Sequence, residues 1–260
     1  MRLKNKSAIV TGAGAGIGKK IAVVFAREGA NVCVADVDMS GAETTAREIR
    51  LDGGIAIAQR MDVTNEVQVN EVTDRVAIEF EGIDILVSNA GTQHLDTIAD
   101  LTFENWKRVL AVHLDGAFLT TKACLRHIRA RKRGGSIILM GSVHSYMSSV
   151  QKGPYVVAKH GLIGLCRTLA KEGASYGLRA NAICPGVVRT GLIERQIPAL
   201  ARERGVPEEQ ALEEVFLQHT VDGEFTTESE LAEVAVFLAS FPTNALTGQS
   251  VCVSHGMFML

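Results

Sequence analysis

A tyrosine and a lysine four residues apart, Tyr155 and Lys159, follow a serine, Ser142, within the stretch from Gly141 to Gly161. These residue types suit proton transfer. A free phenol has a pKa near ~10 and is a poor base at neutral pH. An ammonium group one helical turn away favours the phenolate and lowers that pKa, and a serine hydroxyl can hold a substrate oxygen. Alone, the pattern also fits an amphipathic helix with a buried tyrosine and a solvated lysine.

The flanking sequence supplies the elements that would position such a group. Ser136-Ile137-Ile138-Leu139-Met140 is a short apolar run that reads as a buried strand, with Ser142 at its exit. Pro154 fits a first helical position, where its missing N–H costs nothing. Leu162, Leu165 and Leu169 continue the helical row. Tyr155 and Lys159 therefore fall on one face of the first turns of a helix.

The same grammar repeats along the chain. Ser7–Thr11 is a strand, and Gly12-Ala13-Gly14-Ala15-Gly16-Ile17-Gly18 a glycine turn opening a helix. Asn31–Asp36 is a second strand that ends in an acid. Ile55–Ala58, Ile83–Val87 and Leu178–Cys184 read as further strands, and Gln249–Val253 as the last. Helices are expected over about 41–51, around Val69, Val72, Val76 and Phe80, over about 103–131, and from Glu228 to Ser240. Continuously apolar strands alternating with helices predict an α/β fold, a doubly wound parallel sheet of Rossmann type. The expected organisation is one domain over residues 1–260, with a charged helical lid over about 190–227 above the sixth strand.

In such sheets ligands bind beyond the carboxyl ends of the strands. Gly12, Gly16, Ile17 and Gly18 would let a pyrophosphate approach the helix N-terminus, whose N–H groups and dipole favour anions. Asp36 would accept from the ribose hydroxyls and repel a 2′-phosphate, which predicts NAD over NADP. Asp62 ends the third strand and either holds the adenine amino group or serves as a turn or N-cap residue. Asn89-Ala90-Gly91 follows the fourth strand, where small residues admit a cofactor closely.

With 260 residues and a net charge of −2 the chain has no basic footprint, so nucleic-acid binding is not expected. No apolar run is long enough to span a bilayer. The five cysteines are scattered without a Cys-x-x-Cys pair, which suits free thiols in a reducing, cytoplasmic setting and gives no reason to expect a metal.

Thr11-Gly12-x-x-x-Gly16-Ile17-Gly18, Asn89-Ala90-Gly91, Ser142, Tyr155-x-x-x-Lys159 and Pro185-Gly186-x-x-x-Thr190 together resemble the classical short-chain dehydrogenase/reductase family, over essentially the whole chain. The resemblance implies that Tyr155 is the general acid/base, that Ser142 orients the substrate oxygen, and that Lys159 binds the nicotinamide ribose. It places Thr190 on the carboxamide, with Val63, Pro185, Gly186 and Val188 also at the cofactor. The family usually carries an asparagine in a proton relay where this chain has His113, in Val112-His113-Leu114-Asp115-Gly116. His113 reads either as a substitute relay, since a free imidazole titrates near ~6.5, or as a core-facing histidine.

Gln93, His144, Lys152 and Gln196 add a set of donors suited to a carboxylate. With Thr92-Gln93-His94 and Ser142-Val143-His144 they resemble the bacterial D-3-hydroxybutyrate dehydrogenase branch of that family, which implies these four residues as its carboxylate ligands. Val187 stands where that branch usually has tryptophan, and Val253-Ser254-His255-Gly256 replaces its usual tail. The expected reaction is hydride transfer between NAD and a 3-hydroxy acid, D-3-hydroxybutyrate first. A dehydrogenase for a neutral alcohol or sugar and a catalytically weak NAD-binding module are the alternatives. The resemblance also implies a homotetramer, with the apolar ending Gly256–Leu260 either at a subunit contact or packed on its own domain.

Overall fold

The computed structural model describes residues 1–189, 197–198, 201–202 and 204–259. Seven strands form a single sheet: β1 (Ser7–Thr11), β2 (Asn31–Asp36), β3 (Ile55–Arg60), β4 (Ile85–Ser88), β5 (Gly135–Met140), β6 (Leu178–Pro185) and β7 (Ser250–Val253). Their spatial order is β3-β2-β1-β4-β5-β6-β7, and every pairing is parallel. β1 and β6 are buried along their whole length. That explains why they read as continuous apolar runs: helices cover both faces, so no position alternates toward water.

The helices are α1 (Gly16–Arg27), α2 (Met39–Leu51), α3 (Glu66–Glu79), α4 (Phe103–Leu110), α5 (Gly116–Arg131), α6 (Gly153–Gly173), α7 (Glu208–Leu212) and α8 (Glu228–Ser240). Polar residues mark their starts. Asp38 accepts from the Ser40 N–H and Asn65 from the Gln68 N–H. Thr227 and Glu230 form a capping box on α8. One face of the sheet packs Phe25, Ile49, Ile138 and Leu231 into a core. The other packs Val76, Ile128, Ile137, Leu139 and Leu162.

The chain runs outward from β1 to β3, then crosses to β4 on the other side of β1. This is a topological switch point, where the loops at the carboxyl ends diverge and leave a crevice. Side chains brace it. The Thr11 hydroxyl accepts from the backbone N–H of Asn89 (3.0 Å) and of Ala90 (3.1 Å). Asn89 Nδ2 donates to the carbonyls of Thr11 and Gly12, at 3.0 and 3.1 Å.

Residues 103–131 form the expected long helical region, within which a π-helical turn, Ala111–Asp115, joins α4 to α5. The third strand continues to Arg60, so Asp62 lies beyond its end rather than on it. The expected lid is described in part, as α7 running into a second π-turn, Glu213–Leu217. Thr190 and Gln196 lie outside the described residues. Among the described residues no helix is long and apolar enough to cross a membrane.

Ile138 is fully buried at the centre of the sheet, whereas Ile78 on α3 is 81% exposed. Ile138→Ala removes apolar area and leaves a cavity, so denaturant unfolding should show a loss of about 2–5 kcal/mol. Ile78→Ala should stay within about 0.5 kcal/mol of wild type.

Candidate active site

A cavity of about 1070 Å³ opens at the carboxyl ends of the strands. It runs from Asp36 and Asp62, beyond β2 and β3, past Gly12, Ile17 and Asn89 at the switch point, to Ser142, His144, Lys152, Tyr155 and Lys159 beyond β5. Val63, Ala90, Gly91, Gln93, His113, Pro185, Gly186 and Val188 also line it. The sheet thus brings together every site residue expected from the sequence that falls within the described region, except that Gly16 and Gly18 shape the turn beneath rather than the wall.

The end nearest α1 has the chemistry to hold a dinucleotide. α1 begins with Ala15 as N-cap and no side-chain cap, and its first turn carries no acid. Its free N–H groups and dipole therefore favour an anion in the cavity. Gly12 adopts φ +62, and a Cβ there would lie 2.9 Å from Ala90 Cα. A Cβ on Gly18 would meet the Gly12 carbonyl oxygen at 2.2 Å, so only glycine lets the turn fold back onto α1. Asp36 has a structural duty as well: its carboxylate accepts from the N–H of Gly14 (2.8 Å) and of Asp38 (2.9 Å). Asp62 accepts from the N–H and hydroxyl of Thr64, at 2.9 and 2.7 Å, which is the turn role weighed for it. Val63 packs toward α5, where a Cβ on Gly116 would meet it at 2.7 Å.

At the other end, Ser142 caps the short 3-10 turn Val143–Ser145 and is only 5% exposed. Its Oγ accepts from the His144 N–H at 3.2 Å and lies 3.3 Å from His144 Nδ1. Pro154 opens α6 as expected, and one turn past Tyr155 the Lys159 side chain turns inward. Lys159 is 4% exposed, and its Nζ donates to the Met140 carbonyl at 2.5 Å. A solvated lysine is thereby ruled out. Burial lowers the Lys159 pKa to about 8.

One expectation is reversed. Tyr155 is held above the ordinary phenol range, because burial outweighs the Ser142 hydrogen bond that acts the other way. Lys159 sits 5.3 Å from the centre of the Tyr155 ring with its nitrogen committed to Met140, so it does not make this tyrosine a phenolate by itself.

His113 lies on the π-turn, 4% exposed, with its ring edge-on to Tyr155 at 5.3 Å. His144 flanks the same ring at 5.8 Å. His113 Nε2 is 2.7 Å from the Thr92 carbonyl and 3.1 Å from the Thr92 N–H. As donor to the carbonyl, Nε2 leaves Nδ1 a bare acceptor, buried with no partner among the described residues. Burial, aided by Lys159, lowers the His113 pKa to about 3. The expected match between an ordinary imidazole pKa and a relay does not hold, because this imidazole is neutral at physiological pH. His144 likewise falls to about 4, burial first and Lys152 next, so it offers hydrogen bonds and not charge.

Lys152 is partly buried, and burial lowers its pKa. Sequence reasoning missed Phe216, which lines the same cavity as Val187 and comes from the π-turn Glu213–Leu217. Nothing in the charged lid sequence distinguishes it from an ordinary core-facing apolar position. Phe258 stacks on Tyr146 at 5.3 Å, so part of the apolar ending packs on its own chain. Leu260 lies outside the described residues.

A Cβ on Gly91 would come within 2.6 Å of His113 Cε1, and the ring cannot retreat because Tyr155 lies beside it. Gly91→Ala should therefore cost about 1–3 kcal/mol in unfolding experiments, and His113→Ala in the same molecule should recover most of that loss. Acid titration gives a second check. His113 and His144 titrate in the fold below their unfolded value near 6.5. The unfolded chain therefore takes up more protons between about pH 6.5 and 4, and stability falls as pH drops through that window. His113→Asn should show a shallower decline than wild type.

Comparison with known proteins agrees with this geometry. The profile of the family described as enoyl-(acyl carrier protein) reductase matches residues 12–258. The D-beta-hydroxybutyrate dehydrogenase of Cupriavidus necator is 38% identical over 250 residues, covering 95% of each chain. The galactitol 2-dehydrogenase of Agrobacterium fabrum is 36% identical over 259 residues, covering 100% of both. A crystal structure from Sinorhizobium meliloti 1021, whose name places it with the short-chain alcohol dehydrogenases, superposes with a TM-score of 0.87 at 32% identity, covering 98% of this chain and 97% of its own. The chain belongs to the short-chain dehydrogenase/reductase family, oxidoreductases whose dehydrogenases use a nicotinamide cofactor.

Proposed function

We propose that the protein oxidises a 3-hydroxy acid, D-3-hydroxybutyrate first, at the expense of NAD. The observation that carries this reading is the separation of charge along one cavity. Gln93, His144 and Lys152 line it with Ser142 and Tyr155, while its acids, Asp36 and Asp62, stand beyond β2 and β3. A substrate carboxylate entering beside Lys152 meets donors and no lining acid. It also favours the charged form of a lysine whose pKa burial has lowered. The 38% identity to a hydroxybutyrate dehydrogenase supports the same substrate class.

When bound, a nicotinamide cofactor supplies the hydride acceptor. The chain's own residues do the rest. Asp36 and the α1 N-terminus hold the adenosine and pyrophosphate end, with Thr190 assigned to the carboxamide. Ser142 Oγ donates to the substrate oxygen. Tyr155 Oη takes the hydroxyl proton in oxidation and returns it in reduction. Lys159 holds the ribose and favours the phenolate. His113 acts as a positioning residue: it packs against Tyr155, and its bare Nδ1 can hold a water on the way from Lys159 to solvent. Gln196 completes the carboxylate ligands. Phe216 lines the wall where Val187 leaves room, which favours acids bulkier than hydroxybutyrate as further substrates.

The fixed Asp36 carboxylate supports NAD over NADP, since it would repel a 2′-phosphate. Asp36→Asn keeps an acceptor for Gly14 and removes the charge, so the ratio of kcat/KM for NAD over NADP should fall by roughly tenfold. A wild type that uses both equally would exclude this assignment. For association we propose a homotetramer, supported by exposed apolar side chains on the long helices, Phe103, Phe118 and Val157. Sedimentation at micromolar concentration should show no monomer. Five free cysteines, four of them buried, support a cytoplasmic setting.

A neutral polyol is the second reading, motivated by the similarity to a galactitol dehydrogenase. Lys152→Ala separates the two. Hydrogen bonds to charged groups contribute about 1.5–3 kcal/mol, so kcat/KM for 3-hydroxybutyrate should fall roughly 10- to 150-fold, mostly through KM. Turnover of a neutral secondary alcohol should barely change. Equal losses on both would make Lys152 structural and withdraw the hydroxy-acid reading.

A further inference from the structure

A second cavity lies at the opposite edge of the sheet, around the amino ends of β4, β5 and β6, and it encloses about 950 Å³. Its wall contains six basic residues, Arg2, Lys6, Arg129, Lys132, Arg133 and Arg179, against one acid, Asp84. In a chain of net charge −2 that imbalance is local and large.

The acids nearby are already spent. Asp84 accepts from the Ser7 N–H at 3.0 Å and pairs with Arg131 at 3.2 Å and Lys6 at 3.9 Å. Arg2 is paired with Glu28 and Glu233, each at 2.7 Å. Arg129, Lys132, Arg133 and Arg179 have no carboxylate partner among the described residues. Arg129 instead lies over the Tyr176 ring at 5.5 Å.

Arg179 is the decisive member. It is 7% exposed on β6, and its guanidinium donates to the carbonyls of Leu238 and Ala239 at the end of α8, the latter at 2.9 Å. Those bonds satisfy two of its five donors and set its charge against the negative end of the α8 dipole, with no carboxylate to neutralise it. The backbone beside it forms a close floor: Gly134 and Gly177 both have positive φ, and a Cβ on Gly134 would meet the Gly177 carbonyl oxygen at 2.4 Å, so two loops pack backbone to backbone. Lys132 holds a left-handed C-cap at the end of α5. Tyr176 and Phe241 add aromatic surface to the wall.

We propose that this cavity is a second ligand site, specific for a small polyanion bearing two or more phosphate groups, of the nucleoside di- or triphosphate class. Several cations spread around a wide opening suit a multiply charged ligand better than a single carboxylate, and guanidinium groups bind phosphate oxygens in pairs. The site lies across the sheet from the cofactor cavity, so the two can be filled together.

The test is calorimetric titration of the full-length protein with ATP and with inorganic tripolyphosphate, at low ionic strength and with the cofactor site saturated by NADH. Both ligands should bind at one site, and Lys132→Glu with Arg133→Glu should weaken that binding roughly tenfold or more while kcat and the cofactor KM stay at wild-type values. Arg179 is left in place because it caps α8. Near-equal affinities assign recognition to the phosphates, and tighter ATP adds the Tyr176 wall; either result supports the site. No binding at millimolar ligand, or binding indifferent to the double charge reversal, would overturn the proposal.

Discussion

Lys159 carries its amino group into the interior at the carboxyl end of β5 and anchors it on the carbonyl of Met140. Taking an ammonium out of water is expensive unless it is paired or loses its proton, and this one has a single short hydrogen bond and no carboxylate. The lowered pKa records that cost. The arrangement is possible only because a strand end leaves a carbonyl free where α6 begins. It therefore fixes the register between β5 and α6, and with it the positions of Ser142 at the strand exit and Tyr155 one turn before the lysine. Small residues keep α6 close to the π-turn and to the loop before α4: a Cβ on Gly161 would meet Leu114 at 2.8 Å, and one on Gly153 would meet Ile98 at 2.4 Å.

This junction also places Tyr155, and burial holds its phenol above the ordinary range. Two neutral histidines hold the edges of its ring. Neither adds charge, because burial keeps both imidazoles neutral, and the cation beside the ring is Lys159, 5.3 Å from its centre. The π-turn at Ala111–Asp115 belongs to the same design, since it delivers His113 into the space above Gly91 that a larger residue would close.

The parts of this account that depend on periodic burial were legible in the sequence. Strands buried on both faces read as apolar runs, and α8 read correctly from Glu228 to Ser240 because its apolar positions keep a helical period. The glycine turn, Ser142, Tyr155 and Lys159 were legible because residue type and order restrict what chemistry they can do. What was not legible depends on three-dimensional surroundings. A π-turn adds one residue without a sequence mark, so the helical region over 103–131 gave no sign of it. The direction of the Tyr155 and His113 pKa shifts follows from burial that no local motif encodes. Asp36 and Asn89 looked like ligand contacts alone, yet their hydrogen bonds to Gly14, Thr11 and Gly12 show that they also build the turn that any ligand would meet.

The central claim is that Tyr155, placed by the Lys159–Met140 anchor, moves the proton in a hydride-transfer reaction. The most direct test follows NADH formation from D-3-hydroxybutyrate by wild type and Tyr155→Phe, with cofactor binding measured on both. The phenylalanine keeps the ring that His113 and His144 hold and removes only the hydroxyl. A drop in kcat of roughly 10²–10⁴-fold with cofactor affinity essentially unchanged is the predicted result. A Tyr155→Phe protein turning over within a few fold of wild type would contradict it.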